Sequence, residues 1–233
     1  CSTKIFMDRI ALIHCGCHKT GSTTIQHNLK KNEKNIEFYI PKTYRINYNP
    51  INHAHLAWEI LKDERFSDTD NNLSKFKDEI KDKRGIILSS EDFSLVLSNE
   101  KTKKKFEDIF SGFKIIYICL IRSDKTREIS LLNEFRYHYK SLGKLKIIYD
   151  LFFLKFNGFV KHTIYKSLED CYYYTSHKKL IRSFLKDSKG KFFILNYDNE
   201  TNIKTCLQQI EIFKNFHFHD QKIKVQKKRK SYF

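Results

Sequence analysis

Gly16-Cys17-His18-Lys19-Thr20-Gly21-Ser22-Thr23-Thr24 gathers glycines, a cation and hydroxyls within nine residues. That composition suits an anion. Glycines allow backbone N–H groups to come close, the positive end of a following helix attracts negative charge, and Lys19 adds a full charge. Further along, Glu91 and Arg122 each follow a short apolar run, and His53 and His55 stand at the start of a helical pattern. A carboxylate or an imidazole can take a proton, and a guanidinium can grip a phosphate through its two-pronged fork.

The elements that must position these groups follow from the hydrophobic pattern. Ile10–Ile13 reads as a buried strand, the glycine turn follows, and a helix is expected from about Gly21 to Lys34. Phe38–Pro41 reads as a brief extended piece and 44–50 as loop, and Asn52 is expected to cap a helix through Leu61. Leu73, Phe76 and Ile80 mark an amphipathic helix. Arg84-Gly85 then stops it, and Ile86–Leu88 forms a strand with Ser89, Ser90, Glu91 and Asp92 at its carboxyl end. In an open α/β sheet ligands bind at that end. Lys114–Ile121 is apolar enough to lie centrally in a parallel sheet, and it ends on Arg122. Ser130 falls in a helix defined by Ile129, Leu132, Phe135 and Tyr139. Residues 145–160 are apolar without clear period, Tyr172–Tyr174 leads into a helix through Phe184, Lys191–Asp198 is a last strand, and a final helix is expected over about 202–216.

The letters of the glycine turn decide between two kinds of phosphate cradle. The nucleoside-triphosphate loop, G-x-x-x-x-G-K-[ST], has lysine directly after the second glycine. Here Gly16 and Gly21 keep the spacing, but Ser22 holds the lysine's place and the cation is Lys19. His-Lys-Thr-Gly-Ser-Thr after a strand resembles the 5′-phosphosulfate loop of sulfotransferases that use 3′-phosphoadenosine 5′-phosphosulfate (PAPS), and the string through Ile25-Gln26 is similar to their bacterial, carbohydrate-type branch. The Arg122-x₇-Ser130 spacing resembles the 3′-phosphate motif of the same family, with Ser123-Asp124 in place of the usual Asn-Pro.

The resemblance implies a single α/β domain with a central, mostly parallel sheet flanked by helices, P-loop-kinase-like in shape. It implies transfer of a sulfuryl group from PAPS to a hydroxyl of an acceptor, expected to be a glycan, with no metal required. It would have His18, Lys19, Thr20, Gly21, Ser22 and Thr23 around the 5′-phosphosulfate, with Lys19 stabilising the leaving oxygen. Arg122 and Ser130 would hold the 3′-phosphate, and Lys228 and Arg229 of the tail would form a second clamp. Glu91 is the first choice for the base, with His53 and His55 as rivals. Two other readings stay open: a P-loop kinase or hydrolase using the 88–92 segment to bind metal, and a non-enzymatic anion- or nucleic-acid-binding module.

The 233 residues suit one domain over 1–233, and 44 Lys and Arg against 27 Asp and Glu leave a formal charge of +17, which favours anionic partners. Basic and aromatic residues interleave too diffusely for nucleic acid to be the expected partner. The six cysteines, at 1, 15, 17, 119, 171 and 206, show no C-x-x-C pair and are expected to be reduced. Cys15 and Cys17 lie between His14 and His18, but structural-zinc spacing is absent, and loop residues beside a phosphate are the preferred reading. No apolar run approaches the roughly 18 residues of a membrane span, so a cytoplasmic location is expected. Residues 1–6, ahead of the sole methionine Met7, are read as foreign to the native chain, and residues 217–233, with six basic residues and one aspartate, as a basic tail.

Overall fold

A computed structural model describes residues 9–16, 20–34, 37–47, 51–63, 66, 72–123, 159–160, 172–173 and 177–196. Among the elements it contains are strands β1 (Ile10–Gly16), β2 (Gly85–Ser90), β3 (Lys114–Ile121), β4 (Phe159–Val160), β5 (Tyr172–Tyr173) and β6 (Lys191–Asn196). The helices are α1 (Ser22–Asn32), α2 (Ala54–Leu61), α3 (Asn72–Ile80), α4 (Phe93–Ser98), α5 (Glu100–Ile109) and α6 (His177–Leu185). Cys17, His18, Lys19, Ser130, Lys228, Arg229, the helices expected around 129–139 and 202–216, and the basic tail lie outside the described residues.

Four strands form one parallel sheet in the order β2-β1-β3-β6, and β4 pairs antiparallel with β5. The expected architecture, a parallel sheet flanked by helices, is therefore the one found. β1 and β3 are its central strands, and both are runs of buried apolar residues, as strands covered on both faces must be. Phe38–Pro41 is extended as expected: Tyr39 bridges Ile86 in parallel, with Tyr39 N–H donating to Gly85 O at 2.9 Å and Ile87 N–H to Tyr39 O at 2.9 Å.

Side chains alternate across the strands and build two cores. Leu12, Ile87, Ile118, Leu120 and Leu195 pack with Ile25 and Leu29 of α1 on one face. On the other, Ala11, Ile13, Cys15, Leu88, Tyr117 and Cys119 pack with Leu56, Phe76, Phe93, Phe106 and Phe184 from α2 to α6. Cys15 is thus a core residue inside a strand and not, as its sequence position suggests, part of the phosphate turn.

Two buried charges fix β6 against β3. Lys103 of α5 donates from Nζ to the carbonyls of Ser183 (3.0 Å), Phe184 (3.4 Å) and Lys186, placing a cation at the negative end of α6. Glu107 accepts from Tyr117 OH (3.2 Å), Ser188 Oγ (2.7 Å) and Lys189 N–H (3.2 Å), which holds the turn between α6 and β6. A side chain at Gly190 would put its Cβ 2.3 Å from the Tyr117 ring, so only glycine lets that turn close.

The registers Cys15↔Ser90, Gly16↔Leu120 and Ile121↔Asn196 bring the carboxyl ends of all four strands to one edge of the sheet. β2 lies on one side of β1 and β3 on the other, so the chain changes direction of winding at the end of β1. Open α/β sheets bind ligands in the crevice at such a switch point.

Candidate active site

The turn after β1 reaches α1 through Gly21, whose φ of 97° and ψ of 16° lie in the left-handed region where glycine carries no steric cost. Gly21 at the cap position of α1 brings no side-chain cap, no acidic residue stands in the helix's first turn, and Lys30 and Lys31 occupy its last. Charge along the helix therefore complements its dipole and leaves the positive end for an anion. Thr20 is fully buried, Thr23 is exposed, and Ser22 is 1% exposed, its Oγ having no hydrogen-bond partner among the described residues. The turn folds tightly onto β1. A Cβ at Gly16 would stand 2.9 Å from Thr20 Oγ1 and 3.5 Å from both Ser22 Oγ and the Leu120 carbonyl, so the glycine is required for close approach.

Glu91 and Arg122 flank this turn. Glu91 is the first residue past β2 and Arg122 the first past β3, both half-buried. β1 runs between those strands and neighbours are spaced about 4.8 Å apart, so the two strand ends lie roughly 10 Å apart across the sheet, and the register carries Arg122 two residues beyond the level of Glu91. The other polar residues of the 88–92 segment are taken up by the fold. Ser89 and Ser90 stand at the carboxyl end of β2, as expected, as its last two residues, and both are fully buried. Asp92 begins α4, accepts from Trp58 Nε1 at 2.8 Å and donates its N–H to Ser90 Oγ at 3.2 Å.

The histidines divide by environment. His53, not Asn52, occupies the cap position of α2; its N–H donates to Ser89 O at 2.8 Å, and no side chain caps the helix. The fully buried His53 ring accepts from Ser89 N–H at Nδ1 (3.2 Å) and donates from Nε2 to Pro41 O (3.0 Å). Both ring nitrogens are thereby committed to joining the 41 turn to β2, which leaves no lone pair for an acceptor's proton. His55 is half-buried two residues further on, its ring 5.1 Å from that of Trp58, and burial lowers its pKa. His14, considered from sequence only as a neighbour of possible metal ligands, is 1% exposed on β1 and hydrogen-bonded from Nδ1 to Ser89 Oγ at 2.8 Å.

Burial pulls both His14 and His53 from the ordinary 6.5 down to about 4; Glu91 opposes this weakly at His14, and the bond to Pro41 does so at His53. In the unfolded chain each takes up its proton near pH 6.5, so between that pH and about 4 the unfolded state binds more protons and is favoured. Stability is expected to be unaffected by these two groups above pH 7 and to fall as the pH drops, by about 1 kcal/mol per pH unit for each. Urea unfolding between about pH 7 and pH 5 reads that slope. His53→Gln should flatten it, and an unchanged slope in that variant would remove His53 from the account.

Among the described residues no group of three or more His, Cys, Asp or Glu could hold a metal ion, and no helix is long and apolar enough to cross a membrane. No family model matches the chain, and no curated protein matches it. Solved structures do. The chain is similar to mouse sulfotransferase SULT7A1, crystallised with PAP, at 15% identity and a TM-score of 0.48, over 92% of this chain and 63% of that one. It is also similar to an unliganded sugar kinase from Janibacter sp. HTCC2649, at 15% identity and a TM-score of 0.38, over 90% of this chain and 99% of that one. The chain thus spans less than two thirds of the length of the mouse enzyme.

Proposed function

We propose that this protein is a PAPS-dependent sulfotransferase acting on a hydroxyl of a glycan. The observation that carries the reading is the start of α1, whose cap position is the left-handed Gly21, at the switch point of a parallel sheet and flanked by Glu91 and Arg122. The Lys-Thr-Gly-Ser-Thr turn and the Arg-x₇-Ser spacing make a phosphosulfate with a 3′-phosphate the anion of choice. The described residues fit such a group: a buried hydroxyl, Ser22 Oγ, stands without a partner at a helix end that favours negative charge.

Bound PAPS would supply the sulfuryl group and its adenosine bisphosphate leaving group. Thr20, Gly21, Ser22 and Thr23, with His18 and Lys19, hold the 5′ end, and Arg122 with Ser130 holds the 3′-phosphate, joined in this proposal by Lys228 and Arg229. Lys19 neutralises charge that builds on the leaving oxygen, work that fixed cations and N–H groups can do without a metal. Glu91 takes the acceptor's proton. It is preferred over His53, whose ring nitrogens are both bonded, and over His55, which sits on α2 beside Trp58 rather than at a strand end.

Thermal unfolding with adenosine 3′,5′-bisphosphate, ATP or AMP tests the reading. A ligand at 100 times its dissociation constant adds about 2.7 kcal/mol, so the bisphosphate should raise the melting temperature visibly and more than the others do. Magnesium-dependent ATP turnover would instead support a kinase or hydrolase, and salt-sensitive nucleic-acid binding without affinity for the bisphosphate a binding module. Arg122→Ala is expected to weaken nucleotide binding by about 1.5–3 kcal/mol, the range for a hydrogen bond to a charged group, and to erase the preference for a 3′-phosphate. Adenosine 5′-phosphosulfate should then compete almost as well as PAPS. A variant that keeps its full 3′-phosphate preference places that phosphate elsewhere.

A further inference from the structure

His14 and Ser22 are a pair of buried, incompletely satisfied groups on the same side of the sheet. Along β1, Leu12, His14 and Gly16 share one face by alternation, and Leu12 packs there with Ile25 and Leu29 of α1. The same helix buries Ser22, which lies over Gly16: its Oγ would stand 3.5 Å from a Cβ at that position. His14 is two residues back, about 6.6 Å along the strand, so its ring projects into the space beneath the first turn of α1. Both residues are 1% exposed. Neither His14 Nε2 nor Ser22 Oγ has a partner among the described residues, although leaving a buried polar atom unmet is costly.

The other half of the His14 ring is fixed. Nδ1 lies 2.8 Å from Ser89 Oγ on β2, in the register that sets His14 opposite Ser89. Ser89 is itself held, its N–H on His53 Nδ1 and its carbonyl on His53 N–H. A neutral ring that accepts from the Ser89 hydroxyl at Nδ1 carries its single proton on Nε2, directed away from Ser89. A donor so placed under a hydroxyl sets that hydroxyl's direction, because an oxygen that accepts from below is left to donate above.

We propose that His14 is a positioning residue of the anion cradle: its Nε2–H, across one ordered water, holds Ser22 Oγ so that the hydroxyl proton points at the bound phosphate. The inference rests on the nucleotide reading above and adds to it a residue that does not touch the ligand. It also gives the strand-embedded serine a task, since Ser89 Oγ holds the Nδ1 side of the ring in place.

The test is calorimetric titration of adenosine 3′,5′-bisphosphate into wild type, Ser22→Ala, His14→Leu, His14→Gln and the Ser22→Ala/His14→Leu double variant. His14→Leu is expected to lose about tenfold or more in affinity, as for one charge-assisted hydrogen bond. His14→Gln, whose amide can offer a donor at similar reach, should recover most of that loss. The double variant should bind no more weakly than Ser22→Ala, because both changes cut one link. Wild-type affinity in His14→Leu, or losses that add in full, overturns the proposal. If His14→Leu does not fold, imidazole ¹⁵N spectra decide. The His14 Nε2–H signal should move on adding ligand to wild type and stay still in Ser22→Ala, and a signal that ignores the ligand in wild type overturns the link. Failure of wild type to bind the bisphosphate counts against the nucleotide reading instead. The same variants are then titrated with inorganic pyrophosphate, where the same pattern supports the link and independent losses overturn it.

Discussion

Glu91→Gln is expected to bind adenosine 3′,5′-bisphosphate like wild type while turnover falls roughly 10²- to 10⁴-fold, the range for loss of a positioned general base. The substitution keeps the size and much of the hydrogen-bonding shape of the side chain and removes its basicity. Its position makes the separation of effects possible. Glu91 follows β2, on the far side of β1 from Arg122, so it can face an acceptor without touching the 3′-phosphate. Single-turnover rates with bound nucleotide verified are the measurement, taken alongside His53→Ala and His55→Ala. His55→Ala should stay within about tenfold of wild type, since an imidazole that is not the base leaves the proton-transfer step intact. His53→Ala should lose stability first, because its ring joins Pro41 to Ser89. Full activity in Glu91→Gln beside an inactive but folded His55→Ala would move the base to His55.

Strands β1, β2, β3 and β6 were legible because each carries a short apolar run, Ile10–Ile13, Ile86–Leu88, Ile115–Ile121 and Phe192–Leu195. α1 was legible from its glycine turn and α3 from Phe76 and Ile80, both buried where the helical spacing puts them. α4 and α5 were missed. Phe93, Val96 and Leu97 do carry helical spacing, and Asn99 caps α5 by accepting from the N–H groups of Lys101 (3.0 Å) and Thr102 (3.2 Å). The run of lysines that follows hid the pattern: one of them, Lys103, is buried at the end of α6, a partnership about 80 residues away that no local rule contains.

The glycine turn and the strand ends were legible in the sequence, and the buried groups that support them were not. Gly16, Gly21 and Arg122 stand where the turn and strand patterns put them. Ser89 and Ser90 read as polar residues at the carboxyl end of a strand, and β2 continues through them because His14 and His53 provide partners for Ser89 inside the protein. His53 reads from sequence as a histidine at a helix start, and sequence does not show the Pro41 carbonyl and Ser89 N–H that occupy its ring. Unmet atoms such as His14 Nε2 are properties of packing alone.

Lys19→Ala is expected to cost on the order of 10²-fold or more in turnover, with a much smaller change in affinity for adenosine 3′,5′-bisphosphate. Lys19 falls between Gly16, pressed against Thr20 and Ser22, and Gly21, whose left-handed backbone starts α1. Those fixed ends and the helix N-terminus would go on holding the ground-state anion after the lysine is removed, so binding should survive. What is lost is the cation that meets charge developing on the oxygen between the phosphate and the departing sulfuryl group, and an interaction that strengthens only there lowers kcat and kcat/KM together. Lys19→Arg separates charge from geometry: it keeps the cation but spreads it over a planar fork, and should recover only part of the loss. Single-turnover measurement at saturating PAPS, paired with calorimetry on the bisphosphate, gives the two numbers needed. A variant that binds poorly yet turns over normally when saturated would make Lys19 a ground-state binding residue and leave the leaving oxygen to the N–H groups at the start of α1.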